Sequence, residues 1–116
     1  MDLSTRYRLL KLLEEQPHLS QRDLAGIMGI SLGKTNFCLQ ALIKVGLIKA
    51  QNFRNARNKA AYLYKLTPSG IEEKARVTRD FLKRKLAEYE TIQQEIAELQ
   101  ADLAAEPQTE GKSPGK

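Results

Sequence analysis

Two serines with a helix-ending glycine between them constrain this chain more than any other feature. Ser20 stands just ahead of the apolar run Leu24, Ala25, Ile27 and Met28, and Ser31 follows Gly29 by two residues. A serine in that position accepts a hydrogen bond from a first-turn amide and so opens a helix. Asp23, three residues after Ser20, completes a capping box. Gly29 tolerates positive φ and closes the first of the two helices after about two turns. Ser31 opens the second, which runs to about Val45 and stops at Gly46. Two helices joined by so short a glycine-containing turn form a helix-turn-helix.

The flanking segments extend the pattern. Leu9, Leu10, Leu12 and Leu13, preceded by Tyr7, predict an amphipathic helix ending at Gln16-Pro17, because proline cannot continue it and drives Gln16 out of the α region. The third helix carries the apolar stripe Thr35, Cys38, Leu39 and Leu42. Leu47 to Gln51 reads as a strand and Asn52 to Lys59 as a polar hairpin. Ala60 to Leu66 returns, with Tyr62, Tyr64 and Leu66 on one side. At Thr67-Pro68 a new helix begins: threonine caps, proline suits the first helical position, and Glu72 and Glu73 favour the positive end. Nothing breaks that helix before about Ala105. The predicted fold is mainly α with a small β-hairpin, a winged helix-turn-helix followed by one long C-terminal dimerisation helix. Residues 1–67 form the expected DNA-binding domain and 68–105 the coiled-coil helix. The Pro/Gly/polar stretch 106–116 forms an expected disordered tail.

Composition excludes more than it assigns. One cysteine rules out an internal disulfide, and one histidine beside it argues against a zinc site of the usual kind, so neither metal nor cofactor is expected. No apolar run approaches the roughly 18 residues of a membrane span, and no signal segment opens the chain, so a cytoplasmic protein off the membrane is expected. Gly29-Ile30-Ser31-Leu32-Gly33 matches the spelling of a nucleophile elbow. That motif requires a large α/β sheet and a histidine later in the chain, whereas His18 comes earlier. Gly33-Lys34-Thr35 resembles the end of a P-loop, yet Met28 occupies the position of its first glycine. Ser31 is therefore read as a cap and Cys38 as a small buried hydrophobe, and no catalytic residue is assigned.

Charge supplies the functional direction. The chain has 19 Lys+Arg against 14 Asp+Glu, but from Leu24 to Ile71 there is no acid at all. Lys34, Lys44, Lys49, Arg54, Arg57, Lys59 and Lys65 all lie in that stretch, and a one-sign field of this kind attracts polyanions. With its stripe buried, the third helix presents Lys34, Asn36, Phe37, Gln40, Ala41 and Lys44 on its other face. Asn and Gln pair with adenine edges, Lys reaches guanine or phosphate, and an apolar group touches thymine methyls. Phe37 is the odd member, with packing against the wing or first helix as the alternative to a groove contact. The hairpin offers Arg54, Asn55, Arg57, Asn58 and Lys59 to phosphates or a narrow minor groove. Ser20, Gln21 and Arg22, at a helix start, face phosphate.

The runs Ser20-Gln-Arg-Asp-Leu-Ala25, Gly29-Ile-Ser31, Leu42-Ile-Lys-Val-Gly-Leu-Ile48 and Leu66-Thr-Pro-Ser-Gly70 resemble the MarR-type winged-helix regulators. The fuller run from Ile30 to Leu42, followed by Asn52-Phe-Arg-Asn, is similar to the subgroup called EPS-associated MarR family regulators. The likeness covers roughly residues 5–100. It implies a bacterial DNA-binding regulator of exopolysaccharide genes, with the recognition helix on Leu32 to Val45 and the wing on Asn52 to Lys59. Family members typically place one helix before this domain and two after it, shaping dimer and effector pocket. This chain has almost nothing before Thr5 and one helix after Thr67, so the resemblance assigns it no small-molecule effector.

Along the last helix a heptad runs through Ile71, Ala75, Thr78, Leu82, Lys85, Tyr89, Ile92, Ile96, Leu99 and Leu103, with Lys85 as its break and Leu86 beside it. About 35 helical residues span roughly 50 Å, too long to bury on so small a domain. Such a seam predicts a coiled coil with a second copy. Together these features predict a homodimer that binds double-stranded DNA at an inverted repeat. Two other classes compete: a winged-helix module docking a protein through its coiled coil, which predicts mixed charge on the third helix and wing, and an RNA binder.

Overall fold

A computed structural model of the chain describes residues 1–54 and 60–107. Its elements are α1 (Leu3–Glu15), α2 (Gln21–Met28), α3 (Leu32–Lys44), β1 (Ile48–Arg54), β2 (Ala60–Leu66) and α4 (Pro68–Ala104). The chain divides into two compact units, Met1–Phe81 and Leu82–Lys116. The first unit therefore continues past the domain boundary expected at Thr67, because the opening turns of α4 are part of its core.

The expected helix boundaries have local causes. Asp2 caps α1 by accepting from the Thr5 amide at 2.8 Å. Both bonds of the α2 capping box form: the Asp23 amide donates to Ser20 Oγ (3.0 Å) and the Ser20 amide to Asp23 Oδ2 (3.1 Å). Gly29 and Gly46 take φ of 69° and 80°, left-handed values that glycine adopts without a Cβ penalty. After Gly46 the Leu47 amide returns to the Leu42 carbonyl at 2.9 Å, closing α3.

α1, α2 and α3 pack around one core. Leu9, Leu10 and Leu13 of α1 meet Leu19, Leu24 and Met28, the α3 residues Cys38, Leu39 and Leu42, and then Ile48, Tyr64 and Val77. The stripe read from the sequence is the buried face of α3, with Thr35 included. Thr35 is tolerable there because its hydroxyl donates to the Ser31 carbonyl at 2.9 Å. The Tyr7 and Phe81 rings lie 5.3 Å apart, so α1 and the start of α4 also share an aromatic contact.

Strand register differs from the sequence reading. β1 and β2 are antiparallel, from Ile48 opposite Leu66 to Arg54 opposite Ala60. Asn52, Phe53 and Arg54, expected in the hairpin loop, instead continue β1. Asn52 pairs with Tyr62, Phe53 with Ala61 and Arg54 with Ala60, so the ladder runs on past the asparagine that suggested a turn. The expected loop residues Asn55, Arg57, Asn58 and Lys59 lie outside the described residues.

Thr67 caps α4: its hydroxyl accepts from the Gly70 amide (3.0 Å) and donates to the Gly46 carbonyl (2.6 Å). The helix-end role given to Glu72 and Glu73 does not form, since no acid lies in the first turn. Glu73 is spent on neighbours instead, with Arg6 Nη1 of α1 and Arg76 Nη2 both at 2.6 Å from its Oε2. Lys74 bonds Glu14 of α1 at 2.8 Å, a second tie between the same two helices.

In the second unit the helix from Leu82 to Ala104 has no buried residue. Leu82, Leu86, Tyr89, Ile92, Ile96, Leu99 and Leu103 are each about half exposed or more. Ile71, Ala75 and Thr78, the first three residues of the expected seam, are exposed as well, and the Thr78 hydroxyl bonds the Lys74 carbonyl. Of the expected tail, Glu106 and Pro107 are exposed, and residues 108–116 lie outside the described residues. No described helix is long and apolar enough to cross a membrane.

Candidate nucleic-acid interface

α3 is the centre of the candidate surface, and its geometry follows from where it is capped and what it buries. Ser31 Oγ accepts from the Lys34 amide at 3.0 Å, so the serine of the apparent nucleophile elbow serves as a helix cap. With Thr35, Cys38, Leu39 and Leu42 inward, a rotation of about 100° per residue places Gly33, Phe37, Gln40 and Lys44 along the middle of the outward face. Lys34 and Asn36 lie on its two flanks. All six are exposed. Phe37, at 69 % exposure, stands in solvent, and packing of its ring against α1 does not form.

The flank carrying Asn36 is held in place. Gln21 Nε2 donates both to Asn36 Oδ1 (3.0 Å) and to the Tyr64 hydroxyl (2.9 Å). One side chain of α2 thus ties α3 to β2. Tyr64 is otherwise buried, and its hydroxyl needs a polar partner there. The consequence for readout is specific. An asparagine pairs with an adenine edge by accepting at Oδ1 and donating from Nδ2 together, and here Oδ1 already accepts from within the protein. The Nδ2 donor is what Asn36 presents most freely.

At the start of α2 the capping box uses the amide and hydroxyl of Ser20, and Asp23 brings a carboxylate to the same helix end. The hydrogen bonds with Ser20 hold that carboxyl below its usual range, so it is charged at neutral pH. A phosphate approaching Ser20, Gln21 and Arg22 therefore meets opposed charge beside the helix-end amides, and the exposed Arg22 is the strongest attraction in that group.

Of the wing residues, Arg54 ends β1 and Asn55, Arg57, Asn58 and Lys59 are outside the described residues. The ladder also shows a feature the sequence alone did not reveal: Lys49 and Lys65 are directly opposed, both exposed. Like charges across a strand pair are destabilising, and only register brings these two together. Among the described residues no three His, Cys, Asp or Glu side chains converge as metal ligands would.

A family profile described as winged helix-turn-helix DNA-binding matches residues 2–49. Among curated protein sequences there is no match. Among solved structures, Lactococcus lactis ZitR is 22 % identical, with 87 % of this chain and 72 % of that one covered at a TM-score of 0.59. The adhesin competence repressor AdcR of Streptococcus pyogenes is 20 % identical, with 88 % and 78 % covered at 0.59. Staphylococcus aureus MarR, solved in complex with salicylate and kanamycin, is 19 % identical, with 86 % and 69 % covered at 0.57. Sequence profile, element order and superposition agree on one architecture, and the chain has a winged helix-turn-helix fold like that of these proteins.

Proposed function

We propose that the chain is a homodimeric transcriptional regulator that binds double-stranded DNA in a sequence-specific way, α3 in the major groove and the basic wing on the backbone or minor groove. The observation that carries this reading is the outward face of α3, exposed and free of acids, on a winged helix-turn-helix scaffold. Gln40 at its centre has the donor and acceptor of an adenine reader, Lys44 suits guanine or phosphate, and Phe37 suits thymine methyls. A protein-docking module would favour mixed charge on this face, and α3 has none.

Two copies follow from the exposed apolar stripe of α4, which needs a partner, and a two-fold dimer matches an inverted repeat with half-sites about one turn, ~10 bp, or a multiple apart. Exopolysaccharide genes are the target class that the sequence resemblance suggests. The test is the salt dependence of duplex binding. If about six cations of a dimer meet phosphates, log K falls with log[salt] at a slope of about −5. A slope near −1 on the best duplex, or equal affinity for a structured RNA in competition, overturns the proposal.

A further inference from the structure

One flank of the apolar stripe in the second unit is acidic and the other is uncharged, and that asymmetry limits how a second copy can lie on it. Seven large apolar residues from Leu82 to Leu103 are 47–69 % exposed. Leu82, Tyr89, Ile96 and Leu103 recur every seven residues, and so do Lys85, Ile92 and Leu99, offset from the first row by three. These two rows are the a and d positions of a heptad. The residues just before the first row, at g, are Glu88, Glu95 and Asp102. Those just after the second, at e, are Leu86, Gln93 and Gln100. All six are exposed. Lys83, Arg84, Glu90 and Glu98 fall at b and c, on the far side of the helix, and do not bear on the contact.

The flanks of two such helices meet differently in the two directions. In parallel, the g flank of each copy runs along the e flank of the other, so Glu88 lies near Gln93 of the other copy and Glu95 near its Gln100. A glutamine amide offers a carboxylate two N–H donors and no charge to repel it. Reversed, g runs along g, and Glu88, Glu95 and Asp102 face the acidic flank of the other copy in every heptad register. Like charges on facing flanks exclude that direction. Lys85 is the counterweight, because in parallel its two copies share one d layer. Its ammonium is drawn toward the g flank by Glu88 of its own chain, at 3.2 Å, and its long stem lets the charge reach water while the carbons stay in the contact. One lysine layer that reaches solvent costs less than an acidic flank facing itself along its whole length. A shift of one heptad keeps the flanks matched but uncovers an apolar layer at each end, so the unshifted register buries most. We infer that the second copy docks on this stripe in parallel and in register, an inference resting on the homodimer proposed above.

Cross-linking of the full chain tests it directly. In a Cys38→Ser background, parallel pairing brings the two copies of Leu103→Cys together, so disulfide dimers form on oxidation. Exchange with chains of different mass carrying Leu82→Cys gives few mixed disulfides, since those two cysteines stand about 30 Å apart at 1.5 Å per residue. Mixed disulfides in preference to self-linked ones overturn the orientation and leave the dimer intact. A monomer by sedimentation at all concentrations overturns the homodimer reading itself.

Lysines on the uncharged flank give an independent arm. Gln93→Lys with Gln100→Lys sets cations against Glu88 and Glu95 of the other copy, and the exposed ion pairs so formed tighten association about tenfold. In a Glu88→Gln, Glu95→Gln background the same two lysines give no gain. In an antiparallel pair they face each other, so weaker or unchanged association overturns the inference, as does a gain that survives removal of the acids.

Discussion

Gly70 offers the sharpest test of how the winged helix is held together. It is buried in the first turn of α4, and a Cβ built on it collides with the Leu47 carbonyl oxygen. The same Cβ would lie 3.0 Å from the Leu47 carbonyl carbon and 3.3 Å from Leu66 Cβ. Backbone cannot swing aside as a side-chain end can. The Leu47 carbonyl also accepts from the Thr67 amide at 3.0 Å, with the Thr67 hydroxyl 3.1 Å away, so any retreat loosens the cap of α4 and the junction of β1 and β2. Alanine gains about 1 kcal/mol in helix propensity over glycine. Overpacking against an anchored backbone costs more, typically ~1–3 kcal/mol and occasionally beyond, with lost capping added. The net expected for Gly70→Ala is a loss of about 2 kcal/mol, and at ~4–8 °C per kcal/mol for a unit of this size the melting point drops on the order of 10 °C. Tyrosine fluorescence reports it, since the chain has no tryptophan and Tyr7, Tyr62 and Tyr64 all lie in the first unit. Gly26→Ala is the control: nothing lies within 4 Å of its built Cβ, so it should stabilise α2 by about 0.5–1 kcal/mol. A Gly70→Ala protein melting with or above the parent would refute the reasoning.

Acid should loosen the joint between α1 and α4. The Arg76 guanidinium, and then Arg6, hold the Glu73 carboxyl down to about 2 from 4.5, so its contribution is complete above pH 4.5 and is lost as pH falls toward 2. With Arg76 half exposed and screened, the loss is on the order of 1–2 kcal/mol, and urea midpoints of Glu73→Gln should be flatter over that range than those of the parent; equal slopes would count against it. Gln21→Ala should lower stability by about 1 kcal/mol and shift the base preference of selected duplexes toward adenine at the position Asn36 reads, because Oδ1 is released; unchanged selection would remove Asn36 from readout. Gln40→Ala should relax base preference while Arg57→Ala weakens all duplexes alike, as binding-site selection and titrations would show, and equal losses on every sequence for both would end the assignment of Gln40.

The helix-turn-helix was legible because its boundaries are local chemistry. Ser20 with Asp23, Gly29, Ser31 and Gly46 each fix a backbone within three or four residues, and the stripe Thr35–Leu42 needs only the helical period. What escaped the sequence depends on partners far along the chain. Glu73 reads as a helix-end acid until α1 brings Arg6 to it from 67 residues away. Tyr64 reads only as one of three residues on a strand face, and its bond to Gln21 across 43 residues is invisible before α2 and β2 are placed. Lys49 and Lys65 read as separate surface cations until register opposes them. The extent of β1 was misread because asparagine signals a turn locally, while pairing with Tyr62, Ala61 and Ala60 extends the strand.

The change of character along α4 connects these local rules to assembly. Through Phe81 the helix is fixed by the first unit: Gly70 and Val77 are buried, Glu73 and Lys74 bond α1, and Phe81 meets Tyr7. From Leu82 onward none of that support continues, yet helix persists to Ala104. Propensity alone leaves a segment of this length marginal in water, and exposed pairs such as Lys85 with Glu88 add only about 0.3–0.5 kcal/mol. Seven half-exposed large side chains are the one substantial reserve. Removing the remaining apolar area of each from water stabilises by about 1 kcal/mol, so roughly 7 kcal/mol per chain becomes available only when another surface covers the stripe. In the proposed dimer, helix order in the second unit and association are therefore the same event. The two recognition helices of the proposed dimer are then joined by an element that forms when both copies are present, which converts the second half-site contact into an intramolecular one and raises affinity without any new contact to DNA.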